Sequence, residues 1–145
     1  MSALIAVAIL GMITMFLGIN NRKRWILPVI ITGLAITFLL NITEWNTNRV
    51  WFSEMMTVDN FAVSFNGTLI FTTLLVFLYA GNYYRSVERP LEDIFSVMLF
   101  ALCGAVVMTS FTNLVMFFIG IEILSISMYI LAGSKKKYKR HYGNK

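Results

Sequence analysis

Glu122 is the residue of this 145-residue chain whose type and position could carry chemistry. It stands near the middle of an apolar run from Leu114 to Leu131, which is long enough to cross a membrane as a helix. At about 1.5 Å of rise per residue, its carboxyl would be about 12–14 Å from either helix end, too far to reach water by snorkelling. Inserting an acidic side chain at that depth costs about 2.5–3.5 kcal/mol, so we expect a contact that offsets this cost.

The protonation state of such a carboxyl would depend on its neighbours. Desolvation favours the neutral form and a nearby cation favours the charged form, so a carboxyl under both influences can bind and release a proton. Ser125 and Tyr129 follow Glu122 by three and seven residues, and the helical repeat predicts both on its side of the helix as polar support. Ser127 is predicted to bond its own helix backbone. The alternative is a glutamate kept protonated, which only hydrogen-bonds another helix.

A membrane, and not water, is the solvent that this composition requires. Hydrophobic residues make up 58% of the chain and charged residues 13%, whereas soluble domains are about half apolar and a quarter charged. A soluble domain of this size could not hide so much apolar surface in one core. The apolar residues come in unbroken runs and lack the alternation of a transmembrane barrel, so the spanning elements are predicted to be helices.

Five apolar runs have the length that a spanning helix needs, about 17–25 residues. Only Thr112 and Asn113 separate the last two runs, which are therefore predicted to be antiparallel neighbours joined by a tight turn. Gly11, Gly104 and Gly120 are expected to allow close helix approach without forming a GxxxG pair. The predicted fold is an all-α membrane protein with spanning helices at about residues 2–19, 25–42, 61–84, 90–110 and 114–131, and a polar connector at 43–60.

The positions of the basic residues predict the orientation of these helices. Residues 20–24, the connector 85–89 and residues 134–145 contain three, two and six of the twelve Lys and Arg residues, and all three stretches would lie on one side. Because basic residues accumulate on the cytoplasmic side, the N-terminus is predicted outside and the C-terminus inside. The first basic cluster follows its apolar run, which argues against a cleaved signal peptide. Residues 134–145 are predicted to form a basic cytoplasmic tail attracted to anionic lipid.

Several other classes of function find no support in the sequence. The net charge of +5 comes from short connectors and the tail, so no nucleic-acid partner is predicted. Cys103 is the single cysteine and lies in an apolar run, so it is expected to be a small core side chain. A disulfide framework or a cysteine metal site within one chain is excluded. The sequence contains no phosphate-binding loop, nucleophile elbow or metal-ligand spacing.

Two stretches resemble the antiporter-like membrane subunits of respiratory complex I, the bacterial NADH-quinone oxidoreductase. In Met56–Ala62 (MTVDNFA), Asp59 and Phe61 match the Asp-x-Phe that leads into the third helix of that family. Asn113–Gly133 (NLVMFFIGIEILSISMYILAG) is similar to the family's fifth helix, in which Gly-x-Glu-x-Leu-Ser and a later Tyr recur. The residues that fall on this second pattern are Gly120, Glu122, Leu124, Ser125 and Tyr129.

The resemblance implies a proton-translocating subunit in the membrane arm of NADH:quinone oxidoreductase. It would make Glu122 an intramembrane proton-relay carboxylate, with Ser125 and Tyr129 as polar support. The chain would be a non-redox subunit without a cofactor of its own, because NADH, flavin, iron-sulfur clusters and quinone would be handled by other subunits. Its partners would be the other membrane subunits, the lipid bilayer and protons. Its location would be the bacterial inner (plasma) membrane, as a multi-pass protein.

The chain departs from the family's pattern after Ser134. Family members continue through further helices, one of which bears the lysine that partners this glutamate, whereas this chain has no Lys or Arg inside its apolar runs. We therefore expect an N-terminal fragment, truncated or frameshifted near Ser134, that forms the start of an antiporter-like helix bundle. The alternatives are a subunit of a cation/proton antiporter, a non-catalytic membrane fragment or assembly scaffold in which Glu122 stays protonated, and a small independent channel.

Overall fold

The computed structural model describes residues 1–84 and 91–142, and all elements named below lie within these ranges. The basic connector 85–89, which counts towards the predicted orientation, and residues 143–145 of the predicted tail lie outside them. All five helices are long and apolar enough to cross a membrane, which confirms the predicted all-α membrane fold. The elements are α1 (Ser2–Ile19), α2 (Lys23–Thr43), β1 (Arg49–Trp51), β2 (Met56–Val58), α3 (Asn60–Tyr84), α4 (Leu91–Thr109) and α5 (Leu114–Tyr142).

The ends of the first four helices agree with the predicted spans to within two residues. The fifth differs, because α5 does not stop near residue 131 but continues through the basic stretch to Tyr142. Its apolar, membrane-spanning part ends at Ser134. Lys and Arg are good helix formers and are favoured at a helix C-terminus by the helix dipole. The change from apolar to basic residues after Ser134 therefore ends the apolar part of α5, but the helix itself continues.

Successive helices run antiparallel, so the starts of α1, α3 and α5 and the ends of α2 and α4 meet on one side of the bundle. That side also carries the two strands, and we call it the hairpin side. α4 is the central helix, because it packs against α1, α3 and α5, whereas α5 packs chiefly against α4. Cys103 is buried in the core, as predicted. The other main core side chains are Val7, Leu10, Ile30, Leu34, Ile70, Phe77, Phe95, Leu99, Leu102 and Val106.

α1 and α2 interlock through a notch at Gly33. A Cβ atom on this glycine would lie 2.4 Å from Cδ1 of Leu10, so a larger residue here would force the leucine side chain to move. Thr14 and Thr37 are buried nearby, and their hydroxyls donate to the Leu10 and Gly33 carbonyls of their own helices at 2.8 Å each. The contact between the two helices therefore buries no unbonded threonine hydroxyl.

The connector between α2 and α3, predicted only as polar, contains a β-hairpin. β1 and β2 pair antiparallel along all three residues of each strand. The turn between them holds three consecutive non-glycine residues in the left-handed region, with φ of 54° at Phe52, 52° at Ser53 and 70° at Glu54. Non-glycine residues rarely adopt such angles, so contacts around the turn must hold it in this shape.

Side-chain hydrogen bonds close the base of this connector. Asn46 donates its backbone N–H to Oδ1 of Asn60, and Nδ2 of Asn60 donates to Oδ1 of Asn46, both at 2.8 Å. Asp59 then caps α3, because its carboxylate accepts the N–H of Ala62 at 2.8 Å. The Asp-x-Phe pair of the family pattern therefore begins with a helix cap.

Candidate functional site

Glu122 lies eight residues after the start of α5, about 12 Å from the hairpin-side end of the helix. Its side chain is exposed on the surface of the chain. Ser127 marks the opposite side of the helix: it is buried, and its hydroxyl donates to the Ile123 carbonyl at 2.8 Å, which confirms the predicted bond to its own helix. Glu122 therefore points away from α4.

The rotation of α5 is fixed by two glycines at its contact with α4. A Cβ atom on Gly104 would lie 2.8 Å from the Leu124 nitrogen and 3.0 Å from the Gly120 oxygen, so the two backbones nearly touch. A Cβ atom on Gly120 would lie 2.6 Å from Cγ of Met108. The predicted close approach at Gly104 and Gly120 is thus confirmed. Gly11 differs, because a Cβ atom there would meet the Phe100 ring at an ordinary 3.4 Å.

The side of α5 that faces away from α4 carries the predicted site residues together. Tyr129 is 74% exposed and Ser125 is partly buried, and both lie on the Glu122 side of the helix. Phe118 and Ile126, which are 61% and 53% exposed, complete the same surface. We call these five residues the open face of α5. A single carboxyl with two hydroxyls among apolar side chains can hold a proton, and this face offers no second charge.

The contact expected to offset the insertion cost of Glu122 is not formed within the described ranges, where no side chain hydrogen-bonds or ion-pairs with its carboxyl. The sequence of the five apolar runs contains no Lys or Arg. The part of the chain that the structure describes also contains no group of three or more His, Cys, Asp or Glu side chains that could hold a metal ion. The site is therefore one carboxyl on an uncovered helix face.

Glu44 has a role that sequence reasoning missed. It follows α2 on the hairpin side, where its Oε1 accepts the N-terminal ammonium of Met1 at 2.6 Å and the backbone N–H of Ser2 at 2.8 Å. Burial raises the pKa of Glu44, but these two donors outweigh burial and hold its pKa below the usual value. A signal existed in the sequence, because an antiparallel α1–α2 pair brings an acidic residue at the end of α2 to the positive end of the α1 dipole.

Further polar bonds join neighbouring helices on the hairpin side. Nδ2 of Asn41 in α2 donates to the Val63 carbonyl of α3 at 2.8 Å. The hydroxyl of Thr109 in α4 donates to Oδ1 of Asn66 in α3. Such bonds hold helices together in a membrane, where apolar contact alone gives little driving force. They tie α2, α3 and α4 to one another and leave α5 outside this network.

Comparison with curated proteins gives long matches to one kind of subunit. The chain is 39% identical over 136 residues to NADH-quinone oxidoreductase subunit N of Flavobacterium psychrophilum, covering 94% of this chain and 30% of that protein. It is 37% identical to the protein of the same name in Cytophaga hutchinsonii, with the same coverage. NAD(P)H-quinone oxidoreductase subunit 2 of Prochlorococcus marinus is 31% identical over 85% of this chain and 24% of its own length. The chain thus spans less than a third of the length of these relatives.

Comparison with solved structures supports the fold. A chain of respiratory complex I from Thermus thermophilus with bound aureothin matches with a TM-score of 0.71, over 90% of this chain and 28% of that chain. The identity is 19%, so this likeness concerns the fold alone. No protein-family model matches the chain.

The five apolar helices and the bacterial relatives together identify a multi-pass protein of the bacterial inner membrane. Over 94% of its length the chain is similar, at 37–39% identity, to bacterial proteins named NADH-quinone oxidoreductase subunit N.

Proposed function

We propose that the chain belongs to a proton-translocating membrane subunit of NADH:quinone oxidoreductase, in which Glu122 relays protons. The observation that carries this proposal is a carboxyl near the middle of an apolar helix long enough to cross a membrane, on a helix face that the described residues leave exposed. Its homology to subunits N supports the same assignment. The chain would take no part in the redox chemistry, and NADH, flavin, iron-sulfur clusters and quinone would be handled by other subunits.

The uncovered carboxyl needs a protein partner for a physical reason. Hydrocarbon cannot solvate a charged carboxylate, and ionisable groups at this depth normally face a bundle interior or a water-filled cavity. The relatives are more than three times as long as this chain, so further polypeptide is available in them to cover the open face of α5. A cation on that polypeptide would favour the charged form of Glu122, and its withdrawal would favour the protonated form. Alternation between the two states moves a proton.

The partners proposed for the chain are the other membrane subunits of the complex, the surrounding lipid and the translocated protons. With the basic stretches on the cytoplasmic side, the hairpin side would face outward and residues 134–145 would form a cytoplasmic tail. This assignment of sides predicts that a cysteine placed at Arg49 reacts with an impermeant reagent added outside cells. Labelling at Arg49 only after the cells are opened would reverse the orientation.

Replacing Glu122 tests the relay directly. In the full-length protein within the assembled complex, Glu122→Gln keeps the size and the hydrogen-bonding capacity of the side chain but cannot be charged. We expect proton translocation in membrane vesicles to fall by at least about tenfold, because a positioned proton-transfer group typically contributes about 10²–10⁴-fold to a rate. Asp93→Asn, an exposed carboxylate in the first turn of α4, is the control and should pump normally. Normal pumping by Glu122→Gln, at an unchanged content of complex, would remove the proposed role.

One observation favours a second candidate function, a non-catalytic fragment or assembly scaffold. The apolar runs of this chain supply no cation that could alter the protonation of Glu122. A scaffold would require neither charge nor proton exchange, so Glu122→Gln would leave the assembly and activity of the complex unchanged. The proposed cation/proton antiporter alternative differs in the transported ion, and sodium-driven proton movement in vesicles would distinguish it.

A further inference from the structure

The turn between α4 and α5 is attached to the hairpin like a third strand. The N–H of Thr57 in β2 donates to the Ser110 carbonyl at 2.9 Å. The N–H of Thr112 donates to the Met55 carbonyl at 3.0 Å. β2 therefore has β1 on one edge and the α4–α5 turn on the other, and the hairpin is bonded to the start of the helix that carries the candidate site.

A buried side chain reinforces this attachment. Met56 forms an antiparallel bridge with Phe111 in the turn. Its side chain is 1% exposed and packs in a small apolar cluster with Met1 and Val107, against which Met116 of α5 also packs. The hairpin thus inserts one residue where the ends of α1, α4 and α5 meet, so its attachment to the turn has an apolar as well as a hydrogen-bonded part.

The hydroxyl of Thr112 adds a third bond, because it donates to the Glu54 carbonyl. Glu54 is the last of the three left-handed residues of the hairpin turn, so this bond holds a backbone shape that non-glycine residues rarely adopt. We call the paired segments Glu54–Thr57 and Ser110–Thr112 the clasp. A strained turn persists only where its surroundings fix it, and the clasp supplies that constraint.

α5 depends on the clasp more than the other helices do. It packs chiefly against α4 and lies outside the polar bonds that join α2, α3 and α4. Its first turn is ordered by Asn113, whose Oδ1 accepts the N–H of Val115 at 3.0 Å, and by a tilted contact between the Phe111 and Phe117 rings, whose centroids are 4.8 Å apart. The clasp includes Phe111 and ends directly before Asn113, and it is therefore the second attachment of α5 to the bundle after its contact with α4.

We infer that Thr112 is a positioning residue for Glu122, acting through the clasp, which fixes the angle at which α5 leaves the hairpin side. The role in proton transfer rests on the function proposed above, whereas the mechanical role does not. A change of about 5° in this angle would displace Glu122 by about 1 Å and Ile130 by about 2 Å, because these residues lie about 12 Å and about 24 Å along α5 from Leu114. Proton transfer is sensitive to displacements of this size.

The test compares three variants of the full-length protein in its assembled complex. Thr112→Val removes the hydroxyl and keeps the branched shape, and Thr112→Ser restores the hydroxyl. Thr72→Val is the matched control, because the Thr72 hydroxyl is exposed and bonds only the Thr68 carbonyl of its own helix at 2.8 Å. Spin labels at Ile19 and Ile130, exposed on the side opposite the hairpin, report the angle of α5 as a distance distribution. Proton pumping is measured as protons translocated per NADH oxidised.

In Thr112→Val we expect the label distance to shift or broaden by about 2 Å and the proton-to-NADH ratio to fall at least about twofold. Thr112→Ser and Thr72→Val should match the wild type in both measurements. A merely structural loss would lower the content of complex and leave the ratio unchanged. An unchanged distance distribution in Thr112→Val would contradict the claim that the clasp fixes the angle of α5. A changed distribution with an unchanged proton-to-NADH ratio would contradict the positioning role of Thr112. If Glu122→Gln pumps normally, the proposed function fails and the distance measurement still decides the clasp.

Discussion

α4 and α5 are neighbouring spanning helices that the bundle buries very differently. Half of the residues in the membrane-spanning stretch of α4 are buried, against 11% of those in the spanning stretch of α5. The spanning stretch of α5 is nevertheless the more apolar of the two. In water the more apolar helix would be the more buried one, because burial removes apolar surface from water. In lipid that gain is absent, and close packing and polar bonds decide which helix becomes central.

The difference in burial shows which contacts determine the role of each helix. α4 offers small residues and hydrogen-bonding groups on several sides, such as Ser96, Cys103 and Gly104, and it contacts three helices. α5 offers one close-packed side at Gly120 and presents Glu122 on the other. α4 therefore organises this chain, whereas the properties of α5 depend on what covers its open face.

The largest expected effect contrasts a core leucine of α4 with an isoleucine of the open face. Leu99 is fully buried, so Leu99→Ala should lower the free energy of unfolding by about 2–5 kcal/mol. Ile126 is 53% exposed, so Ile126→Ala should cost less than about 1 kcal/mol in the isolated chain. Both are measured by detergent-induced unfolding in mixed micelles. Similar losses for the two variants would contradict the contrast. A larger loss for Ile126→Ala in the assembled complex would show that the open face is covered there.

A medium effect is expected where α4 and α5 touch. In Gly104→Ala the new Cβ would lie 2.8 Å from the backbone nitrogen of Leu124, so the helices must separate, and we expect a loss of about 1–3 kcal/mol in unfolding free energy. Gly133→Ala is the matched control, because a Cβ atom there meets nothing within 4 Å. Alanine favours a helix by about 0.5–1 kcal/mol over glycine, so the control should be neutral or slightly stabilised. Unfolding in mixed micelles measures the stability of both variants. Equal stability of Gly104→Ala and Gly133→Ala would contradict the close contact between α4 and α5 at Gly104.

The smallest effect concerns Glu44 and depends on pH. Because the folded pKa of Glu44 lies below its unfolded value of about 4.3, the carboxylate adds stability above that pH, and the contribution is lost as the pH falls through the folded pKa. Glu44→Gln should therefore lower stability at pH 7 by about 1 kcal/mol, after allowance for screening by water, and should weaken the fall in stability towards pH 3. Glu54→Gln, which changes an exposed carboxyl on the hairpin, should leave the stability at pH 7 unchanged. Melting curves recorded between pH 3 and 7 measure both, and identical acid profiles for wild type and Glu44→Gln would reject this account.

The sequence predicted the helices well because length and apolarity alone determine which runs can span a membrane. It also predicted that Glu122, Ser125 and Tyr129 share one side of α5, because that follows from the helical repeat. It could not predict that this side faces away from α4, since α5 is apolar on all sides and its hydrophobic pattern marks no buried face. The rotation of α5 depends on the backbone contact at Gly104 and Gly120, which is a property of two helices together.

The hairpin was missed for a different reason. A tight hairpin is normally signalled by Asn-Gly or Asp-Gly, whereas this turn uses Phe52, Ser53 and Glu54 in the left-handed region. The shape is supported by contacts with the α4–α5 turn, more than fifty residues further along the chain, such as the bond between Thr112 and Glu54. The residues of the hairpin turn therefore do not predict its shape by themselves, because the supporting contacts come from a distant part of the sequence.

The bond between Ser2 and Glu44 has a consequence for how the protein is made. Every atom of this contact, like the notch of Gly33 that receives Leu10, lies within the first 44 residues. During synthesis the α1–α2 pair can therefore complete its mutual contacts before any residue of α3 has left the ribosome. We therefore expect α1 and α2 to insert into the bilayer as a pair, against which the later helices then pack.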